Sequence, residues 1–208
     1  KVEDRLSAFR ITGDDISESV ESATRLFGDW EVATKDQTKT LDGLFRLSQQ
    51  TGASVSDLSR SLVQFGAPLR NLGIDMDFAA AMFANFEKTG VNMTTVLSGL
   101  RLGVGNLNAP TDELKKTLGS LDISLKNPQK ALQEIFKSIE DLDQKAGTAL
   151  GIEAFGRRAG PDLVDTIRGG KFELDKLMET FKSGDGTIKQ AERSTRDLSE
   201  QWTLFKNQ

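Results

Sequence analysis

Apolar residues recur along this chain at intervals of three and four positions, the spacing that places them on one face of an α-helix. The first such stripe contains Ile16, Val20, Ala23, Phe27 and Trp30. Later stripes occupy residues 41–47, 55–65, 78–86, 96–107, 114–121, 131–142, 146–155, 163–167 and 172–181. Alternation with a period of two is nowhere sustained, so strands are not supported. The pattern predicts an all-α fold, a compact bundle of roughly 8–11 short helices with glycine and proline turns and no sheet.

Polar and glycine-containing segments separate these stripes and mark helix ends. Ser54 with Asp57, Thr111, and the pair Asn127–Pro128 are typical of helix N-termini. Glycines follow most stripes within a few residues, where a left-handed C-cap conformation favours glycine. They are Gly52, Gly73, Gly90, Gly160, Gly169, Gly170, Gly184 and Gly186. So many breaks exclude a continuous rod or a long coiled coil.

The segment 155–163 (FGRRAGPDL) compresses a helix end, a break and a new helix start into a few residues. We expect Phe155 to pack inward. Gly156 and Gly160 are expected to supply unusual backbone conformations. Pro161 is expected to begin the next helix, because a proline at the first helical position loses no hydrogen bond there. The segment therefore predicts a helix–turn–helix corner.

The stripes fall into two groups followed by a polar segment. We predict an N-terminal helical subdomain at residues 1–109 and a C-terminal helical subdomain at residues 110–186. Residues 187–208 are predicted to form a polar helix that leads out to the rest of a longer protein. The chain begins with Lys1 and shows no signal-peptide pattern, so we expect it to be an internal piece. No apolar run reaches the ~18 residues that a membrane-spanning helix needs.

Composition removes several kinds of chemistry. The chain contains no Cys, no His and no Tyr, which excludes disulfides, thiol chemistry, Cys/His zinc sites and imidazole catalysis. The net charge of −4 gives no overall electrostatic footprint for nucleic acid. A local basic cluster (Arg157, Arg158, Arg168 and Lys171) is short and broken by glycines, so we interpret it as a solvated helix end.

Two glycine-containing segments resemble ligand-binding loops. Residues 181–192 fit the second half of a calcium-binding EF-hand loop, with Asp185 and Glu192 in register. Phe181 stands where the first carboxylate belongs, so a turn that caps the final helix is the better interpretation. The second segment ends at Gly170–Lys171, but it lacks the Ser or Thr and the preceding strand of a phosphate-binding loop.

Three pairs of adjacent carboxylates are the remaining candidates for acid–base catalysis: Asp14–Asp15, Asp112–Glu113 and Glu140–Asp141. Each lies at an expected helix start or on an exposed face, where negative charge near a helix N-terminus is stabilising. We therefore predict no catalytic residue, no metal ligand and no cofactor.

Several short strings, taken in order, resemble the globular core region of the tape-measure proteins of long-tailed bacteriophages. They are residues 64–70 (QFGAPLR), 72–75 (LGID), 89–91 (TGV), 107–110 (LNAP), 118–123 (LGSLDI) and 154–161 (AFGRRAGP). The similarity extends over about residues 41–177. The residues that carry it, as structural markers, are Phe65, Gly66, Pro68, Gly73, Phe155, Gly156, Arg157, Gly160 and Pro161.

The resemblance implies a structural virion protein without enzymatic activity, held in the tail lumen after assembly in the host cytoplasm. Such a protein sets tail length and is ejected to help DNA delivery. The implied partners are further copies of itself, as a trimer or hexamer, tail-tube and tail-tip proteins, and a host membrane at ejection, with no specific nucleic acid. The compact pattern implies a folded domain of that protein and not the measuring rod.

Two other functions remain open from the residues. A helical adaptor or scaffold domain would bind partner helices through an apolar groove, which predicts a large exposed apolar patch. A carboxylate-based hydrolase predicts a cleft that contains a carboxylic acid of raised pKa.

Overall fold

The computed structural model describes residues 16–91, 93–184, 186–191 and 193, and over these residues it contains helices and no strand. The α-helices are α1 (Ile16–Asp29), α2 (Gln37–Thr51), α3 (Val55–Asn71), α4 (Met76–Thr89), α5 (Met93–Asn108), α6 (Asp112–Ser120), α7 (Pro128–Asp141), α8 (Gln144–Thr166) and α9 (Leu174–Lys182). A π-helical turn, Ile167–Lys171, follows α8. The predicted all-α bundle of short helices is confirmed.

Local capping explains where several helices begin. The Ser54 hydroxyl accepts a hydrogen bond from the Asp57 amide at 2.9 Å, ahead of α3. Thr111 accepts from the Leu114 amide at 3.2 Å ahead of α6, and Asn127 accepts from the Lys130 amide at 3.0 Å ahead of α7. All three predicted N-caps are therefore confirmed.

Helix α4 lies at the centre of the fold. Every residue from 78 to 86 is buried, as predicted for a core helix, and α2, α3 and α9 pack around it. Two ion pairs fix α9 along α4: Lys88 to Glu173 at 2.6 Å and Lys182 to Asp77 at 2.7 Å. The C-terminal helix is thereby held against an N-terminal one.

Phenylalanine rings connect α4 to the second half of the chain. Phe86 contacts Phe172 with ring centroids 5.9 Å apart, and Phe172 meets Phe136 edge-on at 5.1 Å. Phe136 in turn stacks on Phe155 at 5.8 Å. Because edge-on and offset-stacked rings attract one another, this row joins α4, α7 and α8 within one core.

The predicted boundary between residues 109 and 110 stays a prediction, although one cluster of buried apolar side chains extends across it. That cluster reaches Ile188, which is 2% exposed and lies in a helical segment at residues 187–191. The predicted polar helix at 187–208 therefore starts in the body of the fold. Its residues 194–208 lie outside the described part of the chain.

Candidate functional site

Helix α8 is bent into a hairpin at Gly156. This residue has φ 82° and ψ 162°, a combination that is essentially restricted to glycine. The bend separates one arm, residues 144–155, from a second arm, residues 157–166. The expected helix end, break and restart are therefore confirmed, and Phe155 is buried as expected, at 1% exposure.

The expectation that Pro161 begins the second arm is wrong, because this proline lies inside the helix. Gly156 itself supplies the non-helical residue that precedes the arm, so helical conformation resumes at Arg157. The missing Pro161 amide then leaves the carbonyl of Arg157 without its usual helical donor.

Gly160 permits close packing and does not adopt an unusual backbone conformation, contrary to the sequence-based expectation. Its backbone φ angle is not positive. A Cβ atom at this position would lie 2.5 Å from the carbonyl oxygen of Gly151, and one at Gly151 would lie 2.3 Å from Val164. The two arms of α8 are therefore in backbone contact, which only small residues permit.

Helix α5 packs against this hairpin through two further glycines. A Cβ at Gly99 would lie 2.3 Å from the Cβ of Ala159, and one at Gly103 would lie 2.5 Å from the ring of Phe155. The Asn106 side-chain amide donates to the carbonyls of Glu153 and Ala154, at 3.3 and 2.9 Å. These carbonyls belong to the last turn of the first arm, so Asn106 caps that arm beside the bend.

The spacing of the glycines is a sequence signal for this contact that the pattern of apolar stripes does not contain. Gly99 and Gly103 are four residues apart, as are Gly147 and Gly151. Residues spaced by four lie on one helix face, and paired glycines on such a face allow two helix backbones to approach closely. For Gly99 and Gly103 the spacing could have indicated the seam between α5 and α8, whereas Gly147 lies against Ile139 of α7 and Gly151 against the second arm of α8.

The second group of marker residues lies on α3, and α5 connects it to the hairpin. Phe65 meets Phe83 edge-on at 6.4 Å, and the Arg101 guanidinium of α5 lies 5.0 Å over the Phe65 ring. Such a cation–π contact at a partly exposed site contributes about 0.5–1 kcal/mol. One face of α5 therefore contacts Phe65, while Gly99 and Gly103 contact the hairpin.

Three more marker residues have separate structural roles. Gly66 makes room for Trp30, since a Cβ there would lie 2.8 Å from the indole ring. Pro68 lies inside α3. Gly73, with φ 70°, forms the left-handed turn after α3, as expected of a glycine that follows a helix.

The basic cluster divides into two parts. Arg157 and Arg158 are exposed, as a solvated helix start requires. Arg168 is half-buried and donates to the carbonyls of Ile139 and Leu142, at 2.9 and 2.6 Å. Its positive charge thus stabilises the C-terminal end of α7, whereas the sequence alone suggested a solvated side chain. The side chain of Lys171 lies outside the described structure.

The start of the final helical segment is held by Asp42, a residue that our sequence analysis did not single out. This carboxylate is 2% exposed and accepts from the amides of Gly186 and Ile188, at 2.9 and 2.8 Å. The EF-hand-like reading of residues 181–192 depends on Asp185 and Glu192, which lie outside the described residues. Ser183, its third position, instead accepts a hydrogen bond from Arg46 at 2.9 Å.

The candidate carboxylate pairs do not converge. Asp112 is exposed and pairs with Lys115 at 3.3 Å, and Glu140–Asp141 is exposed at the end of α7. Asp14–Asp15 lies outside the described residues. Burial, and then the charge of Asp57, raise the pKa of Glu87.

Glu87 is not among the residues that line the groove between α7 and the start of α9. Across the described residues, no group of three or more acidic, His or Cys side chains is placed to hold a metal ion. No helix within the same part of the chain is long and apolar enough to cross a bilayer.

The groove between α7 and the start of α9 has a volume of about 690 Å³. Phe136 and Phe172 line it together with oppositely charged side chains, among them the ion pair of Lys176 with Glu173 at 2.9 Å. Among the large apolar side chains that the structure describes, Leu102 is the exposed one, at 50%. The described surface therefore does not show the large apolar patch expected of a helical adaptor.

The family described as phage-related minor tail protein matches residues 3–156 of the chain. No curated protein and no solved structure matches it. The matched region contains the α3 markers and ends at Gly156, so Arg157, Gly160 and Pro161 lie beyond it. The value of the marker residues as family signatures stays a prediction.

Proposed function

Since this chain belongs to the phage-related minor tail protein family, we propose that it is a folded helical domain of a tail tape measure protein. Membership in the family gives the chain a structural role in a phage tail, associates it with the virion and implies contact with other tail components. The finer proposal is that the protein sets tail length during assembly and is ejected to help DNA delivery. This role requires no catalytic site.

The observation that carries the proposal is the family match, which contains most of the strings that resemble tape-measure proteins. Those strings occur within one all-α core. Four of the marker residues make packing contacts with α5 or within the α8 hairpin: Phe65, Phe155 and Gly156 with α5, and Gly160 with the first arm of the hairpin. Gly73, Arg157 and Pro161 are exposed. The resemblance therefore includes packing positions, as expected for a structural domain.

The domain itself is too compact to measure a tail. A helical rod spans about 1.5 Å per residue, whereas the described helices fold back on one another around α4. We therefore assign length measurement to other parts of the protein. The domain is proposed to associate with further copies, as a trimer or hexamer, and with tube or tip proteins.

The test of length measurement is made in the phage or prophage that encodes the chain. A helical insertion of about 40 residues after Gln208 is expected to lengthen the tail by about 60 Å in electron micrographs. A matched insertion of glycine and serine residues separates the effect of helical length from that of added mass. Tails of unchanged length with both insertions would refute the tape-measure assignment.

Ejection is tested separately, by mass spectrometry of purified particles before and after DNA release. Peptides from residues 16–193 are expected in intact tails and depleted from emptied ones. If these peptides remain in emptied tails, the chain is a tail component that is not ejected, which would contradict the proposal. Sedimentation of the isolated chain tests self-association, and a monomer at high concentration would contradict oligomerisation through this domain.

A further inference from the structure

We infer that Asp42 is a releasable anchor that makes the order of residues 186–191, called here the C-terminal strap, depend on the docking of α9 onto α2. The strap lies directly after α9, and the carboxylate that binds its amides belongs to a helix 146 residues earlier in the chain. This inference does not rest on the tape-measure assignment.

The first step is the capping geometry. Helical conformation in the strap begins at Thr187, and the amides of Gly186 and Ile188 lie at its start, where helical amides lack partners within the helix. Both donate to Asp42. Asp42 therefore acts as an N-cap supplied by a distant residue, and its negative charge faces the positive end of the helix.

The second step is the dependence of the strap on this cap. A helical segment this short is unstable in water on its own, because nucleation is unfavourable. The strap is docked through Ile188, which is 2% exposed, and through Ala191, which is partly buried against the same core. Removing the carboxylate is therefore expected to free the strap while the large core around α4 remains folded.

The third step is how α9 brings the strap to Asp42. Thr180 donates to Gln50 at 2.6 Å, and Arg46 donates to the Ser183 hydroxyl. Gly43 and Gly184 are in backbone contact, since a Cβ at Gly184 would lie 2.5 Å from the Gly43 amide nitrogen. The end of α9 and the residues after it thus pack along one face of α2. The contact between Gly43 and Gly184 then places the strap next to the Asp42 carboxylate.

This arrangement links two events. When α9 is docked on α2, the strap is capped and held against the core. When α9 separates from α2, the cap is lost and the strap unfolds locally. A short segment held by polar contacts and small apolar contacts is suited to local opening, which draws on the least stable parts of a fold.

Hydrogen exchange followed by mass spectrometry on the full 208-residue chain tests the inference. In Asp42→Ala, amide exchange in residues 186–191 is expected to accelerate roughly five-fold or more, as for loss of a helix cap. Exchange in α5 and α7 is expected to stay unchanged. The matched control is Asp36→Ala, at an exposed carboxylate that makes no capping hydrogen bond at the start of α2.

Two results would overturn the inference. Unchanged exchange in the strap would show that Asp42 does not hold it. Equal acceleration in α5 and α7 would show that Asp42 supports the whole core and not the strap. If Asp42→Ala does not fold, the same exchange measurement is made on Asp42→Asn. This variant keeps the shape of the side chain but has only one acceptor oxygen for the two amides.

A distance measurement provides an independent readout. The chain has no cysteine, so nitroxide labels can be attached at Lys39→Cys in α2 and Arg193→Cys beyond the strap, both at exposed positions. The parent background is expected to give one narrow distance distribution, and Asp42→Asn a broad one. A distribution that stays narrow in Asp42→Asn would contradict release of the strap.

Discussion

Gly103 lies against the ring of Phe155, so closely that a Cβ atom added to the glycine would lie 2.5 Å from the ring Cδ1. The ring is buried and stacks on Phe136 with centroids 5.8 Å apart. It is therefore packed between neighbouring elements of the core. The distance between α5 and the α8 hairpin is set by the absence of a side chain at position 103.

A methyl group at this position is expected to destabilise the fold. Gly103→Ala should lower the free energy of unfolding by about 1–3 kcal/mol, as for overpacking of a core. Gly105→Ala in the same helix is the matched control, because a Cβ there meets nothing within 4 Å. That variant should gain up to about 1 kcal/mol from helix propensity. Urea unfolding of both variants checks the prediction, and equal shifts would contradict it.

The bend at Gly156 is expected to reject every residue with a side chain. Its φ and ψ, 82° and 162°, lie in a region essentially restricted to glycine, so Gly156→Asn should lose about 1–3 kcal/mol of stability. Gly52 also has a positive φ, 82°, but with ψ −3°, where asparagine is tolerated. Gly52→Asn should therefore be nearly neutral. Equal melting temperatures for the two variants would contradict this prediction.

The features that sequence predicted well are those fixed by neighbours in the chain. Ser54, Thr111 and Asn127 cap amides three residues later, so both partners appear in one short window. The burial of residues 78–86 likewise follows from their composition alone. Helix starts and the core helix were therefore accessible without any knowledge of the fold.

The features that sequence missed depend on distant partners. Asp42 looks like an ordinary polar residue in α2 until the fold places Ile188 against it, 146 residues later. The sequence around Gly160 predicts a backbone break, because the contact of Gly160 with Gly151 forms only once α8 folds back on itself. The candidate site thus rests on contacts across the fold that local patterns do not encode.

Arg168 is expected to contribute more to the stability of the fold than Arg157 does, because Arg168 binds the carbonyls at the end of α7. Removing it in Arg168→Ala leaves the carbonyls of Ile139 and Leu142 without their charged donor, which should cost about 1–3 kcal/mol. Arg157→Ala, at an exposed position, should change stability by less than about 0.5 kcal/mol. Chemical unfolding of the two variants measures the difference, and similar losses would count against the capping role.

The folded unit is expected to require residues beyond the family match, which ends at residue 156. Leu163, Ile167 and Leu177 are fully buried in the same core, and each is worth about 1.5–3 kcal/mol. Their combined loss approaches the about 5–15 kcal/mol by which domains are stable. A chain ending at residue 156 should therefore lack a cooperative melt, while one ending at residue 193 should keep it. A cooperative transition in the shorter chain would contradict this.

Glu173 is expected to make stability depend on pH in acid. Hydrogen bonds from Lys88 and Lys176, reinforced by their charges, lower the pKa of Glu173 from 4.5 to about 2. Because the folded-state pKa is the lower one, the carboxylate stabilises the fold above pH 4.5, and that contribution disappears as pH falls toward about 2. Glu173→Gln should therefore lower the urea midpoint at pH 7, and its difference from the parent should shrink on going to pH 3. Glu140→Gln, at an exposed carboxylate, is the control for simple charge removal. Added salt should weaken the Glu173 effect at pH 7, since exposed ion pairs are screened. A difference that stays constant between pH 7 and pH 3 would show that Glu173 does not act through its ionised form.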